Sequence, residues 1–207
     1  MARARSTPSE SGARRGARSP LRFPADLKRQ AAALGIVPRL VADSPEEWRL
    51  GAATVVVDRR RGTAQLRYAR EPLVRVRCDA EEVLRGWRRA LDRLAAESLA
   101  PDDFLAALSD AYAQLLAVGR RAAGERVALA DLVPAVAHAA GRRSYSRAQF
   151  AWDIARLRRE RRLHHDGRRV LFDVATGTAT SQKRQVVWIE DESGAGQYYG
   201  SFRLVAR

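Results

Sequence analysis

The sequence predicts an α+β protein built as two small folded units behind a basic N-terminal tail. Three observations predict it: apolar residues recur at helical spacing in some stretches and alternate in others, turn signals separate these stretches, and charge is distributed unevenly. With 207 residues, 46% hydrophobic and 7% aromatic, the chain has the composition of a globular protein with one sizeable core or two small ones. Its formal net charge is +14, from 38 Lys+Arg against 24 Asp+Glu. Only Lys28 and Lys183 are lysines, so arginine content follows residue usage, and the placement of the acids is the more informative signal.

Residues 142–169 hold ten arginines against Asp153, Glu160 and Asp166, residues 23–141 are nearly balanced at 18 basic against 16 acidic, and residues 1–22 hold six arginines and one acid, Glu10. Ser, Gly and Pro fill much of the rest, so this segment cannot bury enough apolar surface to offset ordering and is expected to be a disordered arm. Residues 23–98 form the first expected unit. Phe23 to Gly35 reads as a helix, with Pro24 near its start, Leu27, Ala31 and Leu34 on one stripe and Gly35 as the stop. Ser44-Pro45-Glu46-Glu47 suggests a further turn of helix. Alternation then predicts three strands, 53–58, 63–69 and 73–78, with the Arg59-Arg60-Arg61-Gly62 turn between the first two. Asp79 caps a helix to about Glu97, along which Val83, Leu84, Trp87, Leu91 and Leu94 recur at spacings of three and four. The expected unit is a three-stranded antiparallel sheet with short helices and one long helix.

Residues 101–207 form the second. Pro101-Asp102-Asp103 opens a helix to about Val118, its acids favouring the positive helix end. An extended piece, 126–129, precedes a helix that Asp131 caps and Gly141 stops. Ser146-Arg147-Ala148-Gln149 fits a capping box that opens a helix to about Arg161. Strands at 169–174, 185–190 and 198–206 follow, with a polar loop over 175–184.

Helix, short strand, helix, turn, helix and hairpin is the element order of the winged helix superfamily, which residues 101–190 resemble. The segment from Leu129-Ala130-Asp131-Leu132 to Ile154-Ala155-Arg156-Leu157 looks like its helix-turn-helix, although the 141–145 connection is longer than the commonest three or four residues. The resemblance implies that the third helix, 146–161, enters a major groove and that the 175–184 loop acts as a wing. Gln149 and Arg156 are then the residues expected at base edges, where Gln pairs with adenine and Arg with guanine. Arg147 and Arg159 are expected on phosphates, Trp152 on a sugar or in a protein interface, and Arg142, Arg143, Lys183 and Arg184 complete the basic surface. Gln149 has a rival role as the capping partner of Ser146.

No catalytic constellation, Walker loop or dinucleotide glycine pattern is found, and one cysteine with three histidines leaves little for a metal. The expectation is a non-catalytic protein without cofactor or metal, cytoplasmic or nucleoid-associated, with no membrane partner. Duplex DNA is the expected ligand, ahead of RNA, and a homodimer or protein partner is expected through residues 23–98. The alternative is a structural adaptor in a larger nucleic-acid-processing or defence complex, its winged helix serving protein docking.

Overall fold

The computed structural model describes residues 22–177, 184–190 and 195–206, and folds them as a mixed α+β chain. The expected arm, apart from Arg22, lies outside the described residues, as does most of the expected wing, Lys183 included. Helix α1 (Phe23–Ala32) has Pro24 in its first turn and buries Phe23, Leu27 and Ala31. Strands β1 (Arg39–Asp43), β2 (Glu46–Leu50), β3 (Ala53–Asp58), β4 (Thr63–Tyr68) and β5 (Glu71–Arg77) form one antiparallel meander in chain order. Helix α2 (Ala80–Ala96) follows, with the Asp79 carboxylate accepting from the backbone N–H groups of Glu81 and Glu82.

The sheet has five strands where alternation predicted three. The segment read as a turn of helix, Ser44 to Glu47, instead forms the β1–β2 hairpin and its cis Ser44–Pro45 turn. Trp48 and Leu50 are buried and Glu47 and Arg49 are not, a period of two that the two acids after Pro45 conceal. Trp48, Leu50, Val55, Val57, Ala64 and Leu66 share the inner face and make a core with α1 and α2. At about 1.5–3 kcal/mol for each large apolar side chain, this burial supplies the main drive for the layer. The outer face carries Thr54, Val56, Thr63, Gln65, Arg67 and Arg75, and among the described residues no helix covers it.

The second unit opens with α3 (Pro101–Gly119), then β6 (Val127–Ala128), α4 (Leu129–Ala139) and α5 (Arg147–Arg159). Strand β7 (His164–His165) pairs with β8 (Arg168–Val174), which pairs with the long β10 (Gly196–Ala206). Strand β10 also takes β6 near Phe202 and β9 (Val187–Glu190) on its N-terminal half, so the expected hairpin of 169–174 with 185–190 does not form: the long β10 pairs with both strands and keeps them from each other. Helix α4 starts earlier than predicted, with Ala128 rather than Asp131 at its cap. Ser146 caps α5 through the Gln149 backbone N–H as expected. Phe104 and Phe150 meet edge-on at 5.8 Å in the core, a contact worth about 0.5–1.5 kcal/mol beyond its buried area.

Candidate nucleic-acid interface

Helix α5 sits at the seam between the two units, and this decides what its polar side chains do. Phe150, Ile154 and Leu157 face the second unit's core as their spacing predicts. Much of the opposite side, through Gln149, Trp152 and Arg156, meets the first unit or the linker instead of solvent, while Arg159 stays exposed. Gln149 is 2% exposed and donates from Nε2 to the Leu94 carbonyl of α2 at 3.0 Å. The capping box is therefore half made: Ser146 accepts from the backbone of Gln149, while the Gln149 amide is spent on α2. Trp152 is half-buried and packs edge-on against Tyr68 with ring centroids 5.2 Å apart.

Arg147 lies across the same seam. Its Nε donates to Glu71 Oε1 at 2.9 Å, one terminal nitrogen donates to the Arg184 carbonyl at 2.6 Å, and the other to the Val186 carbonyl. Arg156 donates to the Leu99 carbonyl in the linker between units. These fork-shaped donors close the part-buried Val186 and Leu99 carbonyls, which would otherwise be stranded, while the bond to Arg184 is exposed. Of the residues expected on DNA, Gln149, Trp152, Arg147 and Arg156 thus lie in the packing between units. Arg142, Arg143, Arg159 and Arg184 remain exposed.

Asp153, which the sequence reading left without a role, is the hub of this seam. Its carboxylate is fully buried, accepts from the Tyr145 hydroxyl at 2.6 Å and from the Ser98 hydroxyl, and lies 3.8 Å from the Arg156 guanidinium. Burial raises its pKa, opposed by the two hydroxyl donors and by Arg156. Burial likewise raises Tyr145, with the Asp153 charge adding to it. The only early signal was a lone acid in an arginine-rich helix.

Three further contacts lock the units. Glu190 of β9 holds Arg49 of β2 at 2.5 Å. The Arg70 guanidinium lies over Trp188, 3.7 Å from its ring centroid, and donates to the Tyr198 hydroxyl at 3.2 Å. Gly196 permits this close stacking, since a Cβ there would lie 2.9 Å from the Trp188 indole and 2.7 Å from the Ile189 carbonyl. Tyr68 joins the second unit's core, and burial raises its pKa.

Among the described residues, no group of three His, Cys, Asp or Glu side chains converges as a metal site, and no helix is long and apolar enough to cross a membrane. Burial pushes the Cys78 thiol up, away from the thiolate a nucleophile needs. No family model matches the chain, and neither a curated protein nor a solved structure matches it.

The outer face of the first sheet is different in kind. A depression of about 350 Å³ lies on it, bounded by Arg61, Arg67, Arg70 and Arg75, with Gln65 beside them and Asp58 as the one acid. Its arginines come from strands and turns that the charge count treated as nearly neutral, because their compensating acids lie elsewhere in the unit. Adjacent to β1 at the sheet edge, Leu34, Val37, Leu40 and Val41 are exposed apolar residues, Val37 to 76%.

Proposed function

We propose that this chain is a non-catalytic, nucleic-acid-associated adaptor in which the third helix of a winged helix variant clamps the first unit. The order α3, β6, α4 and α5 supports this reading, while the strands that follow depart from the superfamily's pattern, β8 and β9 each pairing with β10 and not with one another. The single observation that carries the adaptor reading is the use of Gln149, Arg147 and Arg156 to bond Leu94, Glu71, Arg184, Val186 and Leu99 within the chain. A helix so engaged has no free base-reading edge, because exposing it would strand those carbonyls. The net charge of +14 supplies sequence-independent, salt-sensitive attraction to phosphates. The apolar edge at Leu34, Val37, Leu40 and Val41 offers a protein partner a strand to pair with or a surface to cover.

Fluorescence anisotropy of random duplex, single-stranded DNA and RNA at two salt concentrations tests this, with Arg156→Ala as the informative variant. The expected result is salt-sensitive binding without sequence preference, and a variant that melts earlier while its folded fraction binds within about twofold of the parent. A variant that keeps its melting temperature yet loses duplex affinity selectively returns α5 to the groove and overturns the reading. So does the absence of nucleic-acid binding at low salt.

A further inference from the structure

The arginines of the first sheet fall into two groups. Arg49, Arg59 and Arg77 are each held by a carboxylate, from Glu190, Glu46 and Glu82. Those around the outer depression are not. The side chains of Arg67 and Arg75 make no hydrogen bond or ion pair among the described residues, and the Arg70 guanidinium bonds only the neutral Tyr198 hydroxyl and stacks on Trp188. The one acid in the lining, Asp58, accepts from the Arg61 backbone N–H and lies 3.7 Å from its guanidinium, so it offsets Arg61. Three positive charges are left uncompensated on one concave face.

Their positions have a direction. Arg61 stands at the β3–β4 hairpin tip, Arg67 and Arg75 lie along β4 and β5, and Arg70 stands in the β4–β5 turn at the seam. In register, Arg67 is flanked by Thr54 on β3 and Pro72 on β5, and Arg75 faces Gln65. Arg67 is only half exposed, so its guanidinium belongs to the floor of the depression, whereas Arg61, Arg70 and Arg75 are exposed at its rim. Arg70 is also held before any ligand arrives, its guanidinium carbon 3.7 Å from the Trp188 ring centroid; guanidinium groups stack on bases as well as bonding phosphates.

We propose that this outer sheet face, from Arg61 through Arg67 and Arg75 to Arg70, binds single-stranded nucleic acid, with arginines on the phosphates and the Arg70–Trp188–Tyr198 stack at one end taking a base. The inference rests on the nucleic-acid association proposed above and names the strand class and the site. An extended strand enters the depression and reaches Arg67. A duplex is too stiff to follow the floor and touches only the rim. Positive grooves that track one backbone beside an aromatic platform are the general solution for single strands, and sequence-tolerant stacking suits a face with few fixed base-edge donors.

The test uses the full chain and labelled oligouridine, oligothymidine and a random duplex of equal length, with polyglutamate as a competitor. Arg67→Gln with Arg75→Gln is compared with Arg88→Gln and Arg89→Gln, which remove the same charge from exposed positions on α2 across the sheet. The expected result is that the sheet-face pair lowers single-strand affinity by about tenfold or more and flattens the log affinity against log salt slope by about 1.4, two phosphates at ~0.7 each. The α2 pair should change affinity by no more than about threefold, and all four substitutions should leave the melting temperature in place. Binding by the parent that the sheet-face pair does not weaken beyond the α2 pair overturns this site while leaving the adaptor reading intact. Tighter duplex than single-strand binding overturns the strand class, and equal competition by polyglutamate overturns nucleic acid as the occupant. If the parent binds none of the oligonucleotides at low salt, both readings fall together.

Discussion

Helices α2 and α5 carry similar side chains and meet different surroundings. In α2, Arg85, Arg88, Arg89 and Arg93 are exposed, and two of them pair with glutamates within a turn of the same helix or at its end. Its inner side is the plain apolar stripe of Val83, Leu84 and Leu94. In α5, Phe150, Ile154 and Leu157 make an equally plain stripe, yet Gln149, Asp153 and the head of Arg156 are also turned into protein. What separates the two is what covers the polar side. Water covers that of α2; the first unit and the linker, through Leu94, Ser98, Leu99 and Tyr68, cover much of that of α5. An arginine in a helix is therefore evidence of a surface only where no second unit competes for its donors.

The comparison breaks most sharply at Asp153. Asp153→Ala removes the acceptor of Tyr145 and Ser98 and the counter-charge of Arg156 in a fully buried place, and should cost about 3–5 kcal/mol in urea unfolding. Asp153→Asn keeps the shape and part of the bonding, and should cost less. It also isolates a pH effect. Burial raises the folded-state pKa of Asp153, so the folded protein holds this proton more tightly than the unfolded chain, whose value is about 3.9. The contribution of this group to stability is then fully present below about pH 4 and is lost as pH rises through the raised folded value. On acidification from neutral towards about pH 4, the parent should gain stability relative to Asp153→Asn. Comparing the two at each pH cancels the carboxylates they share, and a difference that stays flat or shrinks would mean that Asp153 is held as a charge by Arg156 and the hydroxyls.

How much of this was legible in the sequence depends on the range of the deciding contacts. Helix starts at Pro24, Asp79, Pro101 and Ser146 and the strands from Ala53 to Arg77 follow from local chemistry, and they occur where the residues predict. The β1–β2 hairpin was hidden because Pro45 and two glutamates mimic a helix start, while its alternation becomes clear only across the pairing of Leu40 with Trp48. The seam was not legible at all. Arg147 to Glu71 and Arg49 to Glu190 span 76 and 141 residues, and periodicity within α5 says which side is apolar without saying what meets the other. The net charge misled in the same way: it marked residues 142–169 as the basic surface, although several of those arginines are bonded inside. The outer sheet face escaped notice because Glu46, Glu71 and Glu82 balance the count there while pairing with other arginines.

The smallest effects belong to α2, where the comparison predicts tolerance on one side and intolerance on the other. Arg85→Ala removes exposed pairs to Glu81 and Glu82, and exposed pairs of this kind contribute little, so thermal unfolding should move by no more than about 0.5 kcal/mol. Gly86, the next residue, points the other way. In a helix interior Gly→Ala ordinarily stabilises by about 1 kcal/mol, since alanine loses less backbone freedom. Here a Cβ would lie 3.0 Å from Val76 Cγ1 and 3.3 Å from Leu66 Cδ1, and Leu66 is fully buried with no room to retreat. Gly86 is thus the point where α2 rests on β4 and β5, and overpacking there costs about 1–3 kcal/mol. The clash exceeds the propensity gain, so Gly86→Ala should lower the urea midpoint. A rise instead would mean that α2 can lift off the sheet without loss, and that this layer, unlike the one around α5, is held by its apolar stripe alone.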